Sequence, residues 1–263
     1  MFGEYLTRWD LVPDGEPIIT HSSDLLPVRK QGLRAMLKVP RDPEEKAGCA
    51  LMAWWDGDGA ARVLAQDENA ILLERAEGQS SLIEFTRNGR DDAATRIICD
   101  VVAKLHAPRA KPLPALTSLL PWFKDLSAAA DANSGLAPSA AAARELFAAP
   151  RHAQVLHGDI HHENILDFGD RGWLAIDPKG LLGERDFDYA NIFCNPEHDT
   201  ATVTKHFDRR LEVITAAAGL ERRRLLMWIL AWSGLSAAWH IGDGTRPEAD
   251  LAVIDMAAAR LRA

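Results

Sequence analysis

Short apolar runs separated by turn residues fill the first third of the chain, and longer periodic apolar patterns fill most of the rest. The short runs are typical of β-strands, whereas apolar residues three and four positions apart are typical of helices. The change of pattern falls between residues 74 and 78. The sequence therefore predicts an α+β protein with two lobes: a small β-rich N-terminal lobe over residues 1–77 and a larger helical C-terminal lobe over residues 78–263.

The N-terminal pattern places a lysine on an apolar strand. In the strand predicted over residues 35–39, successive side chains alternate between faces, so Lys38 lies opposite Leu37 and Val39. A helix is predicted over residues 43–55, since it has a proline early and acidic residues in its first turn. Two further strands complete this lobe as an antiparallel pair: residues 61–64 and 70–73.

The C-terminal pattern is mainly helical. Residues 91–106 carry an apolar face, and the chain is again helical from about residue 202 to its end. The longest apolar segment, residues 225–239, is shorter than the ~20 residues that a membrane-spanning helix needs, so it is predicted as a buried helix pair or one kinked core helix. Two more helices are predicted, at residues 122–130 and 139–148. Three short strands are predicted at residues 154–156, 165–168 and 173–176.

Composition narrows the range of functions. The formal net charge of −8 argues against binding to nucleic acid or to an anionic membrane, and it suits a cationic ligand, although solubility alone also favours net charge. The three cysteines form no CxxC pair, which argues against a disulfide framework and favours a reducing compartment. The N-terminus lacks the pattern of a signal peptide, so a cytoplasmic protein is expected.

A polar segment between the predicted strands carries the candidate chemistry. Residues 157–164 read HGDIHHEN, with Asp159 five positions before Asn164, and Asp177 follows the last of the three strands. The strand hairpin between them folds the chain back, which brings Asn164 and Asp177 side by side. A carboxylate that accepts a hydroxyl proton and two oxygen ligands for a hard cation are what phosphoryl transfer from a magnesium nucleotide requires.

The same segment also allows a different interpretation. Three histidines, His157, His161 and His162, could join Asp159 and Glu163 in the metal cluster of a hydrolase. This is disfavoured because neighbouring residues on an irregular loop rarely converge on one ion, and no spaced motif such as H-E-x-x-H is present. His157 is instead expected to brace the loop, and the other two histidines either line a substrate cleft or face water.

These features together make the chain similar to the aminoglycoside phosphotransferases. More narrowly, it resembles the branch that contains streptomycin 6-phosphotransferases and hydroxyurea-resistance kinases. The resemblance implies a two-lobed protein-kinase-like fold that uses ATP and Mg²⁺. It rests on an ordered set of segments: residues 20–23, 35–39, 54–57, 73–76, 156–164, 171–178 and 235–239.

The resemblance also implies roles for individual residues. Lys38 would contact the nucleotide phosphates and pair with Glu45, with Glu44 as the second choice. Ser22 and Ser23 fall where the family has a loop that covers the phosphates. In the catalytic segment, the base would be Asp159 and the Mg²⁺ ligands would be Asn164 and Asp177. The adenine would be held at the hinge between the lobes by the backbone of Glu74 and Ala76.

Two departures from protein kinases bear on the substrate. No G-x-G-x-x-G precedes Lys38, so a loop over the phosphates would use serines and backbone amides. Asp177 is followed by Pro178 instead of Phe-Gly, and no A-P-E follows. The activation-loop switch of protein kinases is therefore missing, which argues for a small-molecule substrate.

For the acceptor, the resemblance favours a cationic aminoglycoside, most specifically streptomycin at its 6-hydroxyl. The candidate substrate residues are His161, Glu163 and Glu184, whereas Asp188 is expected to hold the catalytic-loop backbone. Two alternatives stay open. One is a kinase of the same fold for another small alcohol or for hydroxyurea. The other is a nucleotide-binding regulator without turnover, for which loss of a catalytic residue would be the expected sign. The sequence leaves open whether the protein is a monomer or a dimer.

Overall fold

The computed structural model describes residues 2–263, which form a sheet-rich N-terminal part and a mainly helical C-terminal part. In chain order, the N-terminal part contains α1 (Gly3–Arg8), β1 (Leu11–Pro13), β2 (Ile18–Ile19), β3 (Ser23–Lys30), β4 (Leu33–Pro40), α2 (Pro43–Trp55), β5 (Val63–Gln66) and β6 (Ile71–Glu74). The C-terminal part contains α3 (Leu82–Arg87), α4 (Asp91–Leu105), β7 (Thr117–Ser118), α5 (Leu119–Trp122), α6 (Lys124–Ala132), α7 (Ala137–Ala148), β8 (Ala153–Leu156), β9 (Ile165–Asp167), β10 (Trp173–Ala175), β11 (Leu181–Glu184), α8 (Thr200–Ala218), α9 (Arg222–Gly242) and α10 (Glu248–Arg262).

The N-terminal sheet has two apolar faces because its side chains alternate. Its strands run in the order β1-β3-β4-β6-β5, with β2 beside β3, and all pairs are antiparallel. On β6, Leu72 packs into a small core with Leu37, while Ile71 and Leu73 face α2 and the main core. The predicted strand over residues 35–39 and the predicted helix over residues 43–55 are both confirmed.

Strand register fixes where Lys38 points. Lys38 pairs with Leu25 on β3 and with Ile71 on β6, and its side chain leaves the sheet on the face opposite Leu37. That face looks toward α2 and the C-terminal part. The predicted orientation of the lysine is therefore confirmed.

Helix α9 is the centre of the C-terminal part and packs against α7 and α10. It is one continuous helix, where the sequence predicted a helix pair or a kinked helix. It is long and apolar enough to cross a membrane, but 78% of its most apolar window is buried inside the protein, as in a core helix. Trp228 on α9 packs edge-on against three phenylalanines at ring-centroid separations of 5.6–6.2 Å: Phe123, Phe147 and Phe187.

A short hairpin and a three-stranded sheet present the catalytic segment. Strands β9 and β10 pair antiparallel, and β11 lies between β7 and β8. Residues 157–164 lead from β8 to β9, and residues 176–180 lead from β10 to β11. The end of β10 is joined to the connection between α2 and β5, because Ala175 N donates to Gly59 O at 3.0 Å and Ala61 N donates to Ala175 O at 2.9 Å. Strand β7 and the first three residues of helix α5 lie within residues 108–121, where the pattern predicts no elements.

Candidate active site

A buried aspartate on the segment after β11 holds the start of the catalytic loop. The carboxylate of Asp188 accepts hydrogen bonds from His157 N at 2.9 Å and Gly158 N at 2.8 Å. His106 Nε2 lies 2.7 Å from the same carboxylate. Gly158 has a φ of 88°, a conformation that favours glycine. The structural role expected for Asp188 agrees with these contacts.

The imidazole ring of His157 stabilises the same loop through two hydrogen bonds. Its Nδ1 accepts from Asp159 N at 3.2 Å, so its Nε2 carries the proton and donates to Ile176 O at 2.9 Å. Complete burial lowers the pKa of His157, which keeps the imidazole neutral in this arrangement. This ring therefore joins the catalytic loop to the segment that carries Asp177.

Two amides hold the carboxylate of Asp159. Asn164 Nδ2 donates to Asp159 O at 2.8 Å and to Oδ2 at 3.2 Å, and Asn191 Nδ2 donates to Oδ1 at 2.9 Å. Asn191 is itself fixed by Trp232 Nε1 at 3.0 Å and Asn195 Nδ2 at 2.9 Å from its Oδ1. Because the Asn164 amide nitrogen is used toward Asp159, its Oδ1 is left to face another ligand. Sequence reasoning missed Asn191, which belongs to no short motif.

A cluster of alternating charges joins the two parts of the molecule. Lys38 Nζ contacts both Glu45 and Asp177. Lys179 Nζ donates to Glu45 Oε1 at 2.6 Å, while Glu44 is exposed. The structure thus pairs Lys38 with Glu45. It also places Lys179 in the cluster, a residue outside the predicted set although it stands two positions after Asp177.

Burial and charge act in opposite directions on this cluster. Burial alone would raise the pKa of Glu45, but the ammonium groups of Lys38 and Lys179 outweigh it and lower that pKa to about 2. Burial alone would lower the pKa of Lys38, but Asp177 and Glu45 raise it. Glu45 and Lys38 are therefore both ionised at neutral pH.

Helix α2 packs closely against the backbone of the segment after β10, which brings the helix to this cluster. A Cβ at Gly48 would lie 1.9 Å from Pro178 O, so only glycine lets α2 approach the segment after β10. Asp177 itself has a φ of 61°, a left-handed conformation that aspartate adopts more readily than most residues. These two local features set the carboxylates of Glu45 and Asp177 on either side of Lys38.

The first cavity, called here the nucleotide cavity, is a slot of about 260 Å³ between the sheet and the β9–β10 hairpin. Lys38 and Asp177 lie at its polar end, and Glu74 and Ala76 lie along its hinge side. The Ala76 N–H has no acceptor among residues 2–263, whereas Glu74 N–H donates to Arg62 O at 2.9 Å. Its upper and lower walls are apolar side chains, from Leu25, Met36 and Leu73 above and Leu166, Phe168 and Ile176 below.

The two serines expected over the phosphates differ in their surroundings. Ser22 lines the nucleotide cavity on the loop between β2 and β3. Ser23 is the first residue of β3, is buried, and its Oγ donates to Glu45 Oε2 at 3.2 Å. Ser23 therefore supports the carboxylate of Glu45, and Ser22 is the serine at the mouth of the cavity.

The second cavity, called here the acceptor cleft, has a volume of about 380 Å³ and opens beside Asp159. It adjoins a larger groove of about 660 Å³, with which it shares Trp122, Lys179, Trp239 and Asp243. Its lining combines tryptophans with acidic side chains. The acidic side chains in its lining are Asp159, Glu163, Glu197 and Asp243.

The structure brings two of the three predicted substrate residues to this cleft. His161 and Glu163 line it, and His161 Nδ1 lies 3.8 Å from Glu163 Oε2. Glu184 does not, and its expected role in substrate binding is corrected: it is buried and forms a bidentate ion pair with Arg224, at 2.7 and 2.6 Å. His162 is also buried, so it neither lines the cleft nor faces water.

The fold and the two cavities define a class: a two-lobed, protein-kinase-like protein. Solved structures share this fold, including aminoglycoside phosphotransferase APH(4)-Ia, with a TM-score of 0.67, 18% identity and coverage of 99% of this chain and 97% of that one. A choline/ethanolamine kinase family protein from Mesorhizobium loti gives a TM-score of 0.65 and 17% identity over 99% of this chain and 93% of that one.

Sequence comparison gives the family. Residues 8–244 match the aminoglycoside/hydroxyurea antibiotic resistance kinases, and the chain belongs to this family. Streptomycin 3''-kinase of Klebsiella pneumoniae is 55% identical, over 91% of this chain and 92% of the relative. Streptomycin 6-kinase of Streptomyces griseus is 34% identical, over 90% of this chain and 81% of the relative. Hydroxyurea phosphotransferase of Kitasatospora aureofaciens is 32% identical, over 98% of this chain and 78% of the relative.

Proposed function

We propose that this protein is an ATP- and Mg²⁺-dependent phosphotransferase that phosphorylates a hydroxyl group of streptomycin. The observation that carries the proposal is the position of Asp159. Its carboxylate lines the acceptor cleft and is bonded to Asn164, which leads into the hairpin that ends at Asp177 in the nucleotide cavity. Asp159, Asn164 and Asp177 are all present and are connected through the structure, which favours a catalyst over a non-catalytic regulator.

The nucleotide cavity suits ATP. Its two apolar walls match the faces of a purine, and the unpaired Ala76 N–H at the hinge can donate to a ring nitrogen. Lys38 at the polar end would neutralise the phosphates, and Glu45 keeps that ammonium in place. A related fold supports this assignment, since a variant of APH(4)-Ia has been solved with AMP-PNP and hygromycin B.

The residues around Asp177 fit a magnesium ion. The Asp177 carboxylate and the Asn164 Oδ1 are hard oxygen donors, and the Asn164 amide nitrogen is turned away toward Asp159. Asp177 contacts Lys38, so its carboxylate lies at the polar end of the nucleotide cavity. A magnesium ion bound to the nucleotide phosphates would lie at this end. Asn164 and Asp177 would hold the ion, which when bound would neutralise charge on the nucleotide phosphates.

Asp159 would orient the acceptor and take its proton. Asn164 and Asn191 fix its two carboxylate oxygens, so the side chain needs no reorganisation when a hydroxyl arrives. The acceptor oxygen would form a bond to the γ-phosphorus as the bond to the β–γ bridging oxygen breaks, and the hydroxyl proton would pass to Asp159. Lys179, which lines the cleft and the adjoining groove, would face the charge on the transferred group.

The acceptor cleft suits a polycation. Streptomycin carries two guanidino groups and a secondary amine, which would meet carboxylates such as Glu163 and Asp243. Indole rings of Trp232 and Trp239 also line the cleft, and cations bind favourably over such rings. The acidic balance of the whole chain would further attract this substrate, which fits a resistance enzyme of the cytoplasm.

The hydroxyl we propose is the 3''-hydroxyl, because the relative at 55% identity is a streptomycin 3''-kinase. The 6-hydroxyl expected from the sequence is the second candidate, supported by streptomycin 6-kinases at 34% and 31% identity. Hydroxyurea is a further candidate because of one relative at 32% identity.

The test is an ATP-consumption assay with streptomycin, hygromycin B and hydroxyurea, followed by NMR of the product. We expect turnover with streptomycin and a phosphorus coupling at carbon 3''. Coupling at carbon 6 would shift the assignment to the 6-hydroxyl. Tight ATP binding without turnover on any of these compounds would instead indicate the regulator.

A further inference from the structure

Three potential metal ligands lie together in and behind the wall of the acceptor cleft. His198 stands just before α8, His240 lies in the last turn of α9, and Asp250 lies in the first turn of α10. Asp250 Oδ2 is 3.7 Å from His198 Nδ1 and 3.8 Å from His240 Nε2. One ligand atom from each residue lies within 4.8 Å of the other two. The ends of two consecutive helices and a loop about 40 positions earlier therefore converge on one point.

Asp250 at the centre of this group lacks a strong hydrogen-bond donor. Its exposed fraction is 1%, and neither of its carboxylate oxygens has an N–H or O–H partner among residues 2–263. The thiol of Cys194 lies beside it, but a thiol is only a weak donor, and this sulfur also contacts Ser233 Oγ at 3.3 Å. A carboxylate that is buried without partners is unfavourable unless a cation reaches it.

The surroundings of His240 allow a tautomer with Nε2 unprotonated. Thr245 Oγ1 lies 3.1 Å from His240 O and 2.7 Å from His240 Nδ1. When the threonine donates its one hydroxyl proton to the carbonyl oxygen, its oxygen accepts from Nδ1–H. In the neutral ring, Nε2 then presents a lone pair toward the Asp250 carboxylate. Two acceptors that face each other in this way leave a place for a cation.

We propose that His198, His240 and Asp250 bind a divalent transition-metal ion of the zinc class. Two imidazoles and one carboxylate are a ligand set that such ions prefer, whereas Mg²⁺ prefers oxygen ligands alone. Bonds of about 2.0–2.1 Å in a tetrahedron would separate the ligands by roughly 3.4 Å, so the two distances to Asp250 need to close by about 0.3–0.4 Å and the distance between the two histidines by at most about 1.4 Å. The hydrogen bond from His240 Nδ1 to Thr245 orients the ring, as second hydrogen bonds do for metal-bound histidines.

Such a site would connect the loop before α8, the end of α9 and the start of α10. The fourth position would face the acceptor cleft, since His198 and His240 both line it. A bound ion would add positive charge beside a cationic acceptor and weaken its binding. That last consequence rests on the proposed function, whereas metal binding itself does not.

Metal binding can be measured on full-length, tag-free protein that has been stripped with a chelator. Zn²⁺ is titrated calorimetrically with Mg²⁺ in excess, and Co²⁺ is titrated while its visible absorption bands are followed. We expect one ion per chain, Co²⁺ bands of a low-coordinate nitrogen and oxygen site, and a thermal unfolding temperature that rises with Zn²⁺ concentration.

Variants locate the site. His198→Ala, His240→Ala and Asp250→Asn should each weaken Zn²⁺ binding at least about ten-fold, and Thr245→Val should weaken it by about ten-fold. His152→Ala, an exposed histidine outside this cleft, should bind Zn²⁺ like the unmodified protein.

The proposal is overturned by a lack of saturable one-to-one Zn²⁺ binding, or by unchanged affinity in His198→Ala and His240→Ala. If Asp250→Asn does not fold, His198→Ala still decides the question, because the His198 side chain is 38% exposed and its loss leaves the core intact. Since no step of this test measures phosphoryl transfer, its outcome is independent of whether streptomycin is the acceptor.

Discussion

The nucleotide cavity and the acceptor cleft are joined by the hairpin that follows the catalytic loop, but they are built differently. The polar end of the nucleotide cavity is made of short segments whose geometry is local: a strand with Lys38, the helix that follows it, whose Glu45 contacts Lys38, and a hairpin that ends at Asp177. The acceptor cleft instead collects side chains such as Asn191 and Trp239 from elements far apart in sequence. Local geometry fixes the part of the site that we propose to bind the phosphates, and helix packing shapes the part that we propose to bind the acceptor.

The largest effect should come from Asp159, which lines the acceptor cleft and is bonded to Asn164 at the start of the hairpin that leads to the nucleotide cavity. Asp159→Ala should lower kcat by about 10²- to 10⁴-fold, because a positioned general base contributes that much, while ATP affinity stays nearly unchanged. Steady-state kinetics and calorimetric ATP titration measure the two quantities. Asp170→Ala, in the exposed turn between β9 and β10, is the matched control and should keep full activity. Turnover near that of the unmodified protein in Asp159→Ala would contradict the assignment.

The next largest effect should be confined to the nucleotide side. Glu45→Gln leaves the buried ammonium of Lys38 without one of its partners, so the free energy of unfolding should fall by about 3 kcal/mol and the KM for ATP should rise. Glu44→Gln, its exposed neighbour, should change neither.

The pH dependence of Glu45→Gln is set by the low pKa of Glu45. Its folded value of about 2 lies below its ordinary value of 4.5, so Glu45 stabilises the fold fully above about pH 5 and less as the pH falls toward 2. Chemical denaturation from pH 8 to pH 3.5 should show a constant difference between the two proteins down to about pH 5, which then narrows. A difference that grows on acidification would contradict the ion pair.

The candidate residues for binding phosphate and metal could be selected from the sequence because the placement of each depends on a short-range rule. Strand alternation gave the orientation of Lys38, and the hairpin gave the proximity of Asn164 and Asp177. Helix α9 is an element that short-range rules did not predict correctly. Gly234 looks like a helix breaker, but a Cβ there would lie 2.2 Å from Ser139 Cβ, so this glycine permits close packing of α7 on a continuous helix.

Glu184 is a second residue whose role depends on tertiary contacts that the sequence pattern does not give. It was predicted as a substrate residue on the basis of its charge, and its partner Arg224 lies 40 positions away on α9. Asn191 was missed because its only signal is tertiary: a hydrogen bond to Asp159 from a segment without a regular pattern. Residues whose role depends on which helices meet cannot be identified from the spacing along one chain.

Lys179 lines the acceptor cleft and is linked through Glu45 to Lys38 of the nucleotide cavity, so a variant there tests how sharply the two cavities are divided. Lys179→Met should lower kcat by about 100-fold, since loss of one electrostatic contact to a developing charge costs that order of magnitude. The KM for the acceptor should not rise, because a positive charge is removed from the cleft. Lys124→Met, an exposed lysine of the adjoining groove, is the control. A higher acceptor KM with unchanged kcat would assign Lys179 to acceptor binding.

The smallest predicted effect is a change in acceptor binding alone, caused by a substitution in the acceptor cleft. Asp243 lines the cleft and its adjoining groove at the end of α9 and is exposed, so its attraction for a cation is screened by water and salt. Asp243→Asn should raise the KM for streptomycin by up to about five-fold at low ionic strength, leave the KM for ATP unchanged, and lose most of this effect in about 0.5 M salt. Asp255→Asn, an exposed carboxylate on α10 outside the cleft, should have no effect, which separates attraction within the cleft from attraction to the acidic protein as a whole. Equal increases for the two variants would mean that net charge draws the acceptor to the protein and that the cleft carboxylates add no specificity.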